Sequence, residues 1–250
     1  MELGALLKRK ASDEEIQPII DSIQAQATQR ALDPVVASTD VFMTAVCWVG
    51  SKSLSHVLAC IDRTKTRLLD AGSQSEAARR QILDAVMTYW AAHPGVALSI
   101  VEKLLNYSIL TPFTVVDWAV GAHGTSEYLA QPHMYELVSN TVAKVTSHTR
   151  QVVKAPAGEA PAAENGEGAP DVEKEATAMR ELFRALNDAL ESWASGSKDE
   201  LIEEGDGTSE KEALTRRWGQ RWLRAFRRMG AVEEAFVLEQ KKDQMDTSVA

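Results

Sequence analysis

Apolar residues recur at i, i+3, i+4 and i+7 along almost the whole chain, and hardly any stretch alternates apolar with polar. That spacing lays one greasy stripe along a 3.6-residue helix and would leave both faces of a strand half wet. The chain is therefore expected to be all-α. The clearest stripe is Met134, Leu137, Val138, Thr141, Val142 and Val145. It follows Pro132, whose missing N–H has no intrahelical partner in a first turn. A second is Met179, Leu182, Phe183, Leu186, Leu190 and Trp193, with charged residues on the other sides. Both read as core faces.

Start and stop signals divide the rest. Ser73 followed by Glu76 reads as a capping box, and Gly72 reads as the terminator of a helix from about Ser53 to Asp70. Thr111 and Pro112 supply a cap and a first-turn proline for a helix through Val115, Val116 and Ala119, closed by Gly121 and Gly124. Pro94-Gly95 separates the stretch ending at Trp90 from the one carrying Ile100, Val101, Leu104 and Leu105. Ser12 and Glu15 form another capping box, but Pro18 lies too deep for a clean first turn, which points to a helix starting only at Pro18. Short links imply antiparallel neighbours, so stacked antiparallel helical hairpins, a HEAT-like α-solenoid, are expected. A simple four-helix bundle has too few helices.

The domain reading is a single helical-repeat domain over residues 1–250. It has a flexible start at 1–12, a disordered insertion at 153–172, an acidic loop at 197–210 and a flexible tail at 241–250. The insertion contains APAGEAPAAENGEGAP, which cannot bury enough apolar surface to offset its ordering entropy. The acidic loop carries Gly205 and Gly207.

Thirty-six acids against 27 bases give a net charge of −9, so the bulk field repels nucleic acid and anionic lipid. Cys47 and Cys60 are too few for a disulfide framework and have no zinc-ligand spacing. They read as buried small apolar residues, which suits a reducing intracellular compartment. The chain shows neither the apolar core of a signal peptide nor a run of ~18 apolar residues, so a soluble, non-secreted protein without membrane association is expected.

No phosphate loop, dinucleotide fingerprint, zinc-protease motif or nucleophile elbow is present. His56, His93, His123, His133 and His148 are scattered, without ligand spacing. The expectation is no catalytic residue, no metal, no cofactor and no small-molecule substrate; a hydrolase built from distant residues has no positive support. One local charge feature stands out in ALTRRWGQRWLRAFRRM. Leu214, Trp218, Trp222, Ala225, Phe226 and Met229 share one helical face, and Arg217, Arg221, Arg224 and Arg228 line its flank at i, i+4, i+7 and i+11. Such a strip could seek RNA phosphates or an acidic partner. The plainer reading is that the arginines pair with the chain's own acids, for instance Asp199 to Glu212. Trp48, Trp90, Trp118, Trp193, Trp218 and Trp222 read as core rather than as base-stacking platforms. Lys8, Arg9 and Lys10 are too short a basic run to count as a localisation signal.

The run SKSLSHVLACIDRTKTRLLDAG and the later ARRQILDAVMTYWAAHPGVALSIVEKLLNYSILTPFTVVDWAV carry a family likeness. Its markers are Lys52, Ser53, Ser55 and His56 at one helix start; Trp90, His93 and Pro94; Val101, Glu102, Lys103 and Leu104; and Val115, Val116 and Trp118. In this order they resemble the large subunit of the nuclear cap-binding complex (fungal-like), in its C-terminal helical-repeat domain, of the middle-domain type found in the initiation-factor scaffold. The resemblance covers most of residues 5–152 and, more loosely, 175–240. Two preceding helical domains of that family are absent, so the chain looks like a C-terminal fragment. The resemblance implies a nuclear, non-enzymatic adaptor that shuttles to the cytoplasm. It would support an RRM-type small subunit that holds the 7-methylguanosine cap, meet capped RNA indirectly, and recruit RNA-processing, splicing, export and decay factors. A helical-repeat domain gripping RNA directly through the arginine strip, or a translation-initiation scaffold docking a helicase, is the alternative.

Overall fold

The computed structural model describes residues 2–121, 124–155, 171–197 and 208–249, with the backbone alone for 208, 209 and 243–249. All regular structure among them is helical: α1 (Glu2–Lys8), α2 (Asp13–Gln29), α3 (Pro34–Gly50), α4 (Leu54–Gln74), α5 (Glu76–Tyr89), α6 (Pro94–Asn106), α7 (Pro112–Val120), α8 (Ser126–Ala130), α9 (Pro132–Lys154), α10 (Val172–Ser195) and α11 (Thr208–Val249). The all-α expectation holds. The chain forms two compact units, residues 1–115 and 116–250.

In the first unit α3 is central, packing on α1, α2, α4 and α5. Its sequence PVVASTDVFMTAVCWVG carries one charge, so most of its circumference can be buried. Met43, Val46 and Cys47 are fully enclosed, and each aliphatic side chain so buried contributes on the order of 1.5–3 kcal/mol. Asp33 caps the helix, accepting from the Val35 and Val36 amides, and Pro34 takes the first turn. Burial pushes the Cys47 thiol up to about 12, so it packs as a small apolar group, as does buried Cys60.

Three boundaries differ from the sequence reading. α2 starts at Asp13, not Pro18. The Ser12–Glu15 capping box is complete, and buried Ile16 and Ile20 anchor the turn on either side of the proline. α4 runs through Gly72 to Gln74, and the cap of α5 is Ser75, whose hydroxyl accepts from the Ala78 amide. Gly72 is there for clearance: a Cβ on it would stand 3.2 Å from the Ile109 carbonyl oxygen. The opening residues, read as a flexible start, form α1, with Leu3 and Leu7 buried.

In the second unit α10 lies against α9 and α11, and α8 touches α9 and α11. The stripes of α9 and α10 are buried as their spacing requires, apart from half-buried Val145. Asp171 caps α10, and Gly196, at φ 84°, closes it. The Trp193 indole N–H donates to the Val120 carbonyl at 2.7 Å. Of the expected insertion, residues 156–170 lie outside the described residues; Val153 and Lys154 end α9 and Val172 begins α10. Residues 198–207 of the acidic loop also lie outside, as does His123. Residues 241–249, expected as a tail, continue α11, which meets no glycine or proline after Gly230.

Candidate interaction surface

α11 carries the arginine strip, and its orientation is set by how closely it approaches α10. A Cβ on Gly219 would sit 2.9 Å from the Ala194 amide nitrogen and 3.0 Å from the Trp193 Cβ. At Gly230 it would sit 3.1 Å from the Phe183 ring. The two glycines thus let the helices touch backbone to side chain. The buried stripe of α11 is consequently Thr215, Gly219, Trp222, Leu223, Phe226, Glu233 and Val237. This is rotated from the face read in the sequence: Leu214 is 50% exposed, and Trp218, Ala225 and Met229 are half-buried at the edge. Trp222 meets Phe226 and Tyr135 of α9 edge-on, with the Tyr135 centroid 5.1 Å from Trp222, and the Tyr135 and Phe226 rings are tilted at 5.5 Å.

Ion pairs tie α11 to its neighbours. Glu233, only 7% exposed, takes a two-pronged contact from Arg150 of α9, at 2.6 Å from Nε and 2.9 Å from Nη2. Glu233 raises the Arg150 pKa further, so the guanidinium stays charged. Arg180 of α10 bonds Glu234, Lys241 bonds Glu173, and Arg227 bonds Glu191. Lys211 reaches Glu127 of α8 at 3.6 Å. A buried Glu233 was invisible to sequence reading, because a lone carboxylate on a helix is usually solvated.

Against that background the strip is distinctive. Arg217, Arg221, Arg224 and Arg228 are all exposed on the side of α11 away from α10. Among the described residues Arg217, Arg224 and Arg228 form no ion pair, while Arg221 lies over the Trp218 ring at 5.2 Å. The alternative pairing with the chain's own acids is not seen with Glu210 or Glu212; residues 199–207 lie outside the described residues. The strip presents cationic edges to solvent.

The other candidates settle individually. Trp90, Trp118, Trp193 and Trp222 are buried, as read. Trp48 is not: it is 47% exposed, lying against Gly4 of α1 with the Lys8 ammonium 3.8 Å above its ring. Arg9 pairs with Glu15. His56 Nδ1 is bonded to the Ser53 hydroxyl, and His148 lies 3.6 Å from Glu175. Among the described residues no three histidines, cysteines or carboxylates converge as a metal site, and no helix is long and apolar enough to cross a membrane.

Stacked helical hairpins with a charged exposed flank are the architecture of a helical-repeat docking domain. The chain matches the family described as MIF4G like over residues 1–235 and belongs to it. Among its relatives is nuclear cap-binding protein subunit 1 of Schizosaccharomyces pombe, 23% identical over 140 residues. The proteins of that name in Anopheles gambiae and Aedes aegypti are 27% identical over 139 and 115 residues. These alignments take in 56%, 55% and 46% of this chain but 17%, 17% and 14% of the relatives. The aligned chain thus spans less than a fifth of the length of the curated relatives it matches. The resemblance read from the packing motifs stands.

Proposed function

We propose that the chain is a non-catalytic scaffold of a nuclear cap-binding complex, acting as part of its large subunit. The observation that carries this reading is membership of the MIF4G-like family together with kinship to cap-binding subunit 1. The finer assignments belong to the same proposal. An RRM-type small subunit holds the 7-methylguanosine cap, this chain supports that subunit, and its outer faces recruit processing, export and decay factors in the nucleus. The acid excess supports it, since a protein that leaves RNA to its partner needs no basic field. Co-purification with the RRM subunit of its own organism tests the reading: a stable stoichiometric complex supports it. Absence of a complex with both the chain and its full-length parent rules it out.

A second reading, direct RNA binding, is favoured by the exposure of Arg217, Arg221, Arg224 and Arg228. It predicts affinity for uncapped single-stranded RNA, with a log–log salt slope that falls by about one for each arginine replaced by glutamine. Salt-independent binding, or unchanged slopes in the variants, rejects it.

A further inference from the structure

A hollow of the first unit lies where α1, the α1–α2 turn, α3 and α4 meet, with a volume of about 520 Å³. That lies within the range of sites that accept a small ligand or a few peptide residues. Its floor is apolar, from Leu7, Ile16, Phe42, Val46 and Val49. Its rim is basic: Lys10, Arg63 and Arg67 stand against a single carboxylate, Asp13. Arg67 is already occupied, donating to both the side-chain and the backbone oxygen of Asp13. Lys10 and Arg63 are exposed and, among the described residues, form no ion pair; Arg63 donates to the Cys60 sulfur at 3.1 Å and lies near Asp62, whose carboxylate is bonded by Lys103 and Tyr107. The Asp13–Arg67 strut separates this hollow from a smaller one of about 150 Å³ along the α2–α3–α4 seam, and Asp13, Phe42 and Arg67 line both.

Lys10 holds its place at a conformational cost. It takes φ 59°, with its amide donating to the Leu7 carbonyl and the Ala11 amide to that of Leu6, the two bonds of a left-handed helix cap. Glycine fits that position without strain. Ala31 and Ser108 occupy the same kind of cap, so the strain alone is no signature. What distinguishes Lys10 is that it lines the cleft.

The geometry points to this cleft as the docking site for a short acidic peptide segment of a protein partner. An aliphatic side chain of the peptide packs at the mouth of the cleft against Val49 and the accessible edges of Leu7 and Ile16, and its flanking carboxylates meet Lys10 and Arg63. Charge complementarity chooses the occupant: in a chain of net charge −9 the rim carries three cations against one anion. Nucleic acid fits less well, because the one aromatic ring in the lining, Phe42, is 3% exposed beneath Arg67 and offers no face for a base. The inference does not depend on the cap-binding reading.

Fluorescence anisotropy with the full chain and a labelled peptide EELLEE tests it, with QQLLQQ as the uncharged counterpart. EELLEE should bind more tightly than QQLLQQ, and Lys10→Gly and Arg63→Gln should each weaken it about two- to fivefold. Val49→Asp should abolish it. Lys10→Gly carries its own folding control, since relief of the left-handed cap should raise the melting temperature by roughly 2 °C while binding falls. A merely structural Lys10 would give the rise without the loss. The proposal is overturned if EELLEE binds no better than QQLLQQ or if the variants bind like the parent. It is equally overturned if Arg224→Gln, on the distant strip, is what weakens binding, or if single-stranded RNA displaces the peptide in a manner that depends on Lys10 and Arg63.

Discussion

Replacing Gly219 with alanine pits two effects of known size against each other. In the interior of a helix the change gains about 1 kcal/mol from backbone propensity. At Gly219, however, the new methyl would stand 2.9 Å from the Ala194 nitrogen, 3.0 Å from the Trp193 Cβ and 3.1 Å from the Trp193 carbonyl carbon. Two of those three atoms are backbone of α10, so no rotamer change relieves the contact and the helices must separate by a few tenths of an ångström. Overpacking of this kind costs about 1–3 kcal/mol, which cancels the propensity gain and leaves a net loss of up to about 2 kcal/mol. In a chain of this size that lowers the melting temperature by up to about 8 °C. Gly95 is the internal control, because a Cβ there meets nothing within 4 Å; Gly95→Ala should stabilise by about 0.5–1 kcal/mol. Urea and thermal unfolding followed by far-ultraviolet ellipticity read both. A Gly219→Ala protein as stable as the Gly95→Ala one would refute the close α10–α11 contact.

Other perturbations follow from the same contacts. Arg150→Ala leaves the Glu233 carboxylate nearly buried without its fork; because Arg150 itself is partly solvated, the cost in urea unfolding should be about 1–2 kcal/mol. Ser75→Ala should lose about 1 kcal/mol by removing the cap of α5, whereas Ser73→Ala, inside α4, should change stability by less than about 0.5 kcal/mol. Hydrogen bonds from Lys103 and Tyr107 hold the Asp62 carboxyl below the ordinary carboxylate range. Its contribution is thus present above about pH 4 and lost as the pH falls through its lowered value. Asp62 is nearly half exposed, so the effect is small. Asp62→Asn should flatten the acid limb of a stability–pH curve and leave acidic unfolding otherwise intact.

How much of this was legible in the sequence depends on whether a feature is local. The stripes of α9 and α10 are fixed by spacing alone, and all but half-buried Val145 are buried. Ser73 and Ser75 both suit a cap by type; the choice between them rests on Ser75's extended backbone, φ −160°, which no residue preference dictates. The arginine strip was visible because i, i+4, i+7 and i+11 is a statement about one helix. Its neighbouring apolar face was read with Leu214 inside because nothing local reveals where α10 presses; Gly219 and Gly230, the residues that admit α10, carry that information only once the partner helix is known. The Arg150–Glu233 fork joins residues 83 apart, and the cleft of α1, α3 and α4 gathers Lys10, Val46 and Arg63 from separate helices and a turn. Such juxtapositions arise from tertiary packing and leave no spacing to detect.

In the scaffold role proposed above, the chain would offer surfaces to macromolecular partners and leave recognition of the cap to one of them. A fluorescence titration with 7-methylguanosine cap analogue, run on the chain alone, on the RRM small subunit alone and on their mixture, tests it most directly. The account predicts no saturable quenching by the chain alone and tight, cap-dependent binding by the mixture. Tight binding of the analogue to this chain in isolation would contradict it.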